Sequence, residues 1–305
     1  MQASEPDTKK ATPPGDVVEA DALDQMVLRI AEVSTLPHIA FRLIKITQSP
    51  NPSPKEMCNV LSSDPVMSSR VLRCVNSSAY GLSHPISNLY RAVCMLGYVH
   101  LRDLAMTASV ANVFQGNETC GKYVRNKLWR HMIGVAICAR MIAARCELPD
   151  FESTYLAGLI HDIGIILIDQ YEHEVFDEMM TKFPSKTKGN LTVIEQKYLG
   201  YDHTMLGARI AQNWGLEGPL LDVIRHHHDV NNYQGEHPKI LACVDLANLL
   251  CTLRGWSSIG HKIVEANQWS MEQLNLTPED VQILNEDLGA ELKLHRELIR
   301  IGMTA

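Results

Sequence analysis

LAGLIHDIGIILID, residues 156–169, sets a histidine and an aspartate side by side in an otherwise apolar run. His161 and Asp162 are the only strongly polar residues between Tyr155 and Asp169. An ionised carboxylate is not buried alone, because desolvating it costs too much. Three compensators are open for Asp162: a metal ion, a buried Arg or Lys, or a helix N-terminus. The rest of the chain has to choose among them.

Outward from this segment the pattern is helical almost throughout from about Asp21. No stretch alternates over five or more residues, so the chain reads as all-α without a sheet. Asp64 followed by Pro65 and Thr277 followed by Pro278 are helix starts. A further helix is expected between a Ser87 cap and Gly97. Gly, Asn and Thr cluster at QGNETCGK, residues 115–122, and mark a break. Beyond it, helices are expected over 124–146, 152–171, 172–183, 190–199, 203–214, 217–228 and 239–253, with a loop at 184–190. The domain reading is a disordered leader over 1–20, a helical lobe over 21–115, a second lobe over 120–255 and a C-terminal helical appendage over 256–305. On the helix after Asp64, Arg70, Arg73 and Asn76 read as a solvated face.

Composition narrows the classes of function. Hydrophobic residues make up 46% and charged residues 21%, the balance of a globular protein with its own core. The net charge is −7 and the basic residues are dispersed, which makes a nucleic-acid partner unlikely. No apolar run has the length of a membrane span, and the acidic, Pro-bearing start lacks a signal-peptide core. The eight cysteines form no CxxC pair and most lie in apolar stretches, so they read as small buried residues of a reduced, cytoplasmic protein.

Several residues repeat the oddity of Asp162. His131 shares a helix face with Val135, Cys138 and Ile142 and so points inward. Asp245 is the lone acid of KILACVDLANLLC. RHHHDV, residues 225–230, puts three histidines in a row; neighbours on a helix diverge by about 100°, so at most two can bracket one site. His203 opens a helix whose inward stripe runs through Leu206, Gly207, Ile210 and Trp214. Each alone has a plain alternative: a core histidine bonded to a carbonyl, a buried salt bridge, a titrating surface run. Together they are the imidazole and carboxylate ligands that divalent transition metals take. Helical cores build metal sites from facing helices in this way. A shared ion would neutralise Asp162 and Asp245 at once.

The order His131 … His161-Asp162 … Asp245 resembles the H…HD…D signature of the HD superfamily of metal-dependent phosphohydrolases. LSSDPVMSSRVLRCVNSSAYGL (61–82), ISNLYRAVCMLGYVHLRDL (86–104), LWRHMIGVA (128–136), YLAGLIHDIG (155–164), YDHTMLGARIAQNWGL (201–216) and IRHHHD (224–229) closely resemble the HDOD domain, as does LPHIAFRLIKI (36–46). The resemblance spans about residues 25–255 and implies an all-α, two-lobed fold with an HD-like metal-site lobe. HDOD domains are related to HD-GYP phosphodiesterases, which cleave cyclic di-GMP at a centre of two or three metals. Carried over by position, His131, His161, Asp162 and Asp245 match the core ligands, His203 matches a further histidine, and His227 and His228 match a paired one. A binuclear site of divalent metal is implied, with iron favoured over manganese or zinc. HD-GYP enzymes carry lysine after HDIG; this chain has Ile165, and the GYP segment is missing. The resemblance therefore implies a signalling protein that binds a nucleotide or phosphate ligand or a protein partner, with a phosphohydrolase as the alternative.

Overall fold

Caps written in the sequence open several of the helices. The computed structural model describes residues 15–33, 42, 43, 46, 53–77, 80–114, 116, 118–149, 151–182, 191–259 and 267–301. The first helix, α1 (Gly15–Val33), begins inside the segment read as leader, so that reading is corrected for residues 15–20. Residues 1–14, most of 36–46 and the expected loop at 184–190 lie outside the described residues. Ser53 caps α2 (Pro54–Ser62) through Glu56 N–H. Asp64 caps α3 (Pro65–Val75), accepting from the backbone N–H groups of Val66 and Met67. Proline at the first helical position costs nothing there, since its missing donor would have no partner anyway.

The next helix, α4 (Leu89–Leu96), is capped by Asn88 and not by Ser87; the amide oxygen of Asn88 accepts from Arg91 N–H, and Gly97, at φ 81°, ends the helix. Asn76 is not merely solvated: its side chain bonds both the N–H and the C=O of Ile86, at 2.6 and 2.8 Å, and so closes the loop after α3. The buried helix α5 (Tyr98–Ala111) runs into a 3-10 turn, Asn112–Phe114. The break expected at 115–122 contains a hairpin: β1 (Thr119–Cys120) pairs antiparallel with β2 (Tyr123–Val124). This is the one departure from the sheet-free expectation among the described residues.

The longest helix, α6 (Arg125–Arg145), is apolar on most of its faces and buried accordingly. Against it pack α7 (Phe151–Ile160) and α13 (Pro238–Leu253). The single helix expected over 152–171 is divided. His161 and Asp162 form a turn between α7 and α8 (Ile163–Tyr171). Then follow α9 (His173–Lys182), α10 (Leu191–Leu199), α11 (His203–Asn213) and α12 (Pro219–His226). The chain closes with α14 (Gln268–Leu274), α15 (Pro278–Leu294) and α16 (Arg296–Ile301). Thr277 and Asp280 form a reciprocal capping box on α15. One apolar core extends from Leu23 on α1 to Ile299 on α16. Among the described residues, no helix is long and apolar enough to cross a membrane. The fold is all-α, as its sequence pattern indicates.

Candidate metal centre

Two close helix contacts bring the polar residues together. A Cβ on Gly158 would lie 2.8 Å from the Cα of Ala136, so only glycine lets α7 approach α6 this closely and set His161 beside His131. A Cβ on Gly164 would lie 1.9 Å from the carbonyl oxygen of His203. The missing side chain therefore seats the start of α8, with Asp162, against the start of α11.

Asp162 occupies the N-cap position of α8, yet its side chain makes no capping bond. Its two oxygens are divided between two pairs of imidazoles. Oδ2 lies 3.5 Å from His131 Nε2 and 3.3 Å from His161 Nε2. Oδ1 lies 3.2 Å from His227 Nε2 and 3.6 Å from His203 Nε2. The rings of His203 and His227 lie 5.0 and 4.2 Å, centroid to centroid, from that of His228. Ligand atoms of His131, His161 and Asp162 lie within 4.8 Å of one another, as do those of Asp162, His203, His227 and His228. The two groups share Asp162.

The far sides of the rings are fixed. His131 Nδ1 meets the carbonyl of Trp256 at 2.7 Å, and His161 Nδ1 meets that of Gly158 at 2.8 Å. His227 Nδ1 meets the carbonyls of Val223 and Ile224, both at 3.1 Å. His203 Nδ1 meets Oε2 of Glu195 at 2.6 Å. A carbonyl or carboxylate cannot donate, so each Nδ1 carries the proton. In a neutral ring, Nε2 is then a bare lone pair. These lone pairs face the Asp162 carboxylate and one another, with Nε2 to Nε2 separations of 3.4 Å in both the His131–His161 and the His203–His227 pair. Two such lone pairs at this distance repel unless a proton or a metal cation lies between them, and with no metal His203 is the ring raised to hold that proton. The residues present therefore fit divalent metal, and imidazole with carboxylate is the appropriate donor set.

Protonation follows the same geometry. Burial lowers His131 to about 4, His227 below its ordinary value and His228 well below it. Burial also opposes the charged form of His203, but the Glu195 carboxylate outweighs it and raises that ring to about 9. Burial would raise Asp162, yet His161 and His227 hold it well below the usual carboxylate range.

Asp245 does not join either group. Its Oδ2 accepts from the Ser270 hydroxyl at 2.5 Å, and burial pushes it up to about 6. The expectation that one ion neutralises both Asp162 and Asp245 is corrected: a hydroxyl from α14 bonds the second carboxyl. Glu195, in contrast, was not foreseen. It is fully buried, accepts from His203 N–H at 3.0 Å as well as from the ring, and leaves Oε1 without a hydrogen-bond partner. The available signal was an acid eight residues before His203, in LTVIEQKYL.

A sequence model of the HDOD domain matches residues 33–230. A solved HDOD domain protein of unknown function from Geobacter sulfurreducens is 26% identical, with a TM-score of 0.79 over 94% of this chain and 99% of its own. A candidate signal transduction protein of Marinobacter aquaeolei VT8 is 24% identical, with a TM-score of 0.78 over 94% of this chain and 66% of that one. A candidate phosphohydrolase of Shewanella amazonensis SB2B is 24% identical, with a TM-score of 0.69 over 92% of this chain and 97% of that one. The chain spans 42% of the length of the curated relative it matches, an uncharacterized protein of Treponema pallidum (strain Nichols).

Proposed function

The chain belongs to the HDOD family, and from that premise we propose a signalling module built around a divalent-metal centre that binds rather than turns over. His131, His161 and Asp162 hold one ion; Asp162, His203, His227 and His228 hold the other. Mixed imidazole and carboxylate ligands favour iron, then manganese, over zinc. Such ions supply charge neutralisation and Lewis acidity. The chain's own residues do the rest. Backbone carbonyls and Glu195 aim the rings, and Asp162 ties the ends of α7, α8, α11 and α12 to one point.

The carrying observation is enclosure. His131, His161, Asp162, His203 and His227 are each 3% exposed or less, and His228 alone is half-buried. Among the described residues, the Asp162 carboxylate is closed off from solvent and so from a phosphodiester. Ile165, where HD-GYP enzymes carry lysine, is fully buried, so no cation stands there to receive a phosphate. The signalling partner is a protein or a nucleotide engaged on the outer surface. Metal analysis of protein purified without chelator, beside a phosphodiester screen including cyclic di-GMP, tests this reading. Bound metal with no turnover above Asp162→Asn is the expected result; a folded, metal-free protein would overturn it.

One observation favours a second reading. His228 is the one ligand candidate with some exposure, and it lies against both His203 and His227. Opening at that edge would admit a phosphate ester, and the protein would then be a phosphohydrolase. Metal-dependent cleavage abolished by Asp162→Asn would establish that case.

A further inference from the structure

A separate cluster lies where the β1–β2 hairpin meets the junction of α8 and α9. Asp169 is seven residues beyond Asp162, about 10 Å along a helix. Cys120, Asp169 and His173 each bring a ligand atom within 4.8 Å of the others. His173 and Asp177 lie four apart on one face of α9, and Asp169 stands four residues before His173 across the junction from α8. Asp169 Oδ2 is taken by the Tyr123 hydroxyl at 2.8 Å and by Arg125 Nε at 2.7 Å. Its Oδ1 is turned the other way, 3.0 Å from His173 Nδ1. The Cys120 thiol is hydrogen-bonded to Asp177; burial first, then the Asp169 and Asp177 carboxylates, push it up to about 12. Arg125 is the neighbouring cation and already pairs with Glu118, so carboxylates outnumber it here.

The scaffold is fixed by backbone. At Gly121, φ 57°, a Cβ would lie 2.5 Å from the carbonyl oxygen of Met180, so the hairpin tip sits directly on α9. Tyr123 packs edge-on against Phe176 with ring centroids 4.9 Å apart. Cys120 and Asp169 are thus held in place and buried, while His173 is exposed and leaves a path from solvent.

We propose that Cys120, Asp169 and His173 form a second, independent cation site of the thiolate–imidazole–carboxylate class, suited to zinc. A thiolate is a soft ligand that the histidine–aspartate centre lacks, and zinc takes sulfur, nitrogen and oxygen together. On binding, the thiol proton leaves to solvent and sulfur bonds the ion, so uptake releases a proton and weakens as pH falls. Solvent completes the coordination at the exposed edge.

Cobalt(II) titration of the full chain, stripped of metal with chelator, tests the site. A thiolate-to-cobalt charge-transfer band in the near ultraviolet reports sulfur ligation and is silent for a centre of nitrogen and oxygen. The wild-type chain is expected to develop this band. Cys120→Ser should abolish it and lose one equivalent of cobalt, while the remaining cobalt spectrum persists. His173→Ala, a change at an exposed side chain, should weaken the band's affinity by about tenfold or more. Absence of the band in the wild-type chain would overturn the proposal, as would its persistence in Cys120→Ser. If Cys120→Ser fails to fold, an unchanged titration in His173→Ala overturns it just as well.

Discussion

Asp162 is buried with the Nε2 atoms of four imidazoles turned towards its two oxygens. In His131, His161, His203 and His227 each Nδ1 has an acceptor and each Nε2 is turned inward. Glu195 does for His203 what backbone carbonyls do for His131, His161 and His227. Carboxylates behind a ligating imidazole raise its basicity and fix its tautomer. Glu195→Gln is therefore expected to weaken the ion held by His203, His227 and His228 by about 10–100-fold, measured by competition with a chelating dye. Unchanged affinity would mean that Glu195 only caps the helix. Asp245 makes an opposite prediction. Its carboxyl is raised from an ordinary 3.8 to about 6, so between those values the folded chain holds a proton that the unfolded chain has lost. Stability from this group falls as pH rises through that window, and the penalty is full above it, at most about 3 kcal/mol. Metal-stripped Asp245→Asn should unfold at higher urea than wild type at pH 7.5, and this advantage should vanish near pH 4. A lower metal content in Asp245→Asn purified without chelator would instead return Asp245 to the ligand set. Asp245 was the residue at which sequence reasoning misled. A lone acid among Val, Leu and Ala looks the same whether an ion or a serine from a distant helix satisfies it.

At the scale of elements, the site depends on helix ends more than on helix faces. His161 and Asp162 sit in a turn between two helices, His203 opens a third and His227 follows a fourth. The apolar run over 156–169 hides that turn, because both helices are buried on all sides and the hydrophobic pattern carries no period. The caps at Asp64 and Thr277 were legible because their chemistry is local. Asn88 displaced Ser87 because either can cap, and only the tertiary path of the loop decides. Gly164 is the joint that the close contact needs. A methyl there would meet the His203 carbonyl, and backbone yields less readily than a side chain. Gly164→Ala is expected to destabilise by about 1–3 kcal/mol or more and to lower metal affinity as well, since the same shift separates Asp162 from His203. Urea unfolding with a parallel metal titration reads both. A destabilised variant with wild-type metal affinity would show that the centre tolerates helix displacement.

At the scale of the molecule, the segment after residue 255 is not an accessory. Trp256 supplies the carbonyl that orients His131, Ser270 bonds Asp245, and Ile299 accepts from the Trp129 indole at 2.8 Å. Asp103 on α5 accepts from Arg140 on α6, whose guanidinium also reaches His295 beyond α15. Buried Leu274, Leu284, Leu288, Leu292, Leu298 and Ile299 belong to the same core as the metal-centre helices. Each such side chain contributes about 1.5–3 kcal/mol. Together they rival the whole stability of a typical domain, about 5–15 kcal/mol. The sequence marked a helical appendage and the helix start at Thr277 but could not say what these helices meet, because period and capping describe a helix and not its neighbour. A chain ending at residue 266 keeps Trp256 and every candidate ligand. It is nevertheless expected to lose cooperative unfolding and to bind a hydrophobic dye, because α6 and α13 would expose their outer faces. Metal retention should fall with it, since the rings are aimed by backbone carbonyls that stay in place only while the core does. A truncated chain with the wild-type melting transition and full metal content would separate the C-terminal helices from the fold and leave the centre standing on α6 to α13 alone.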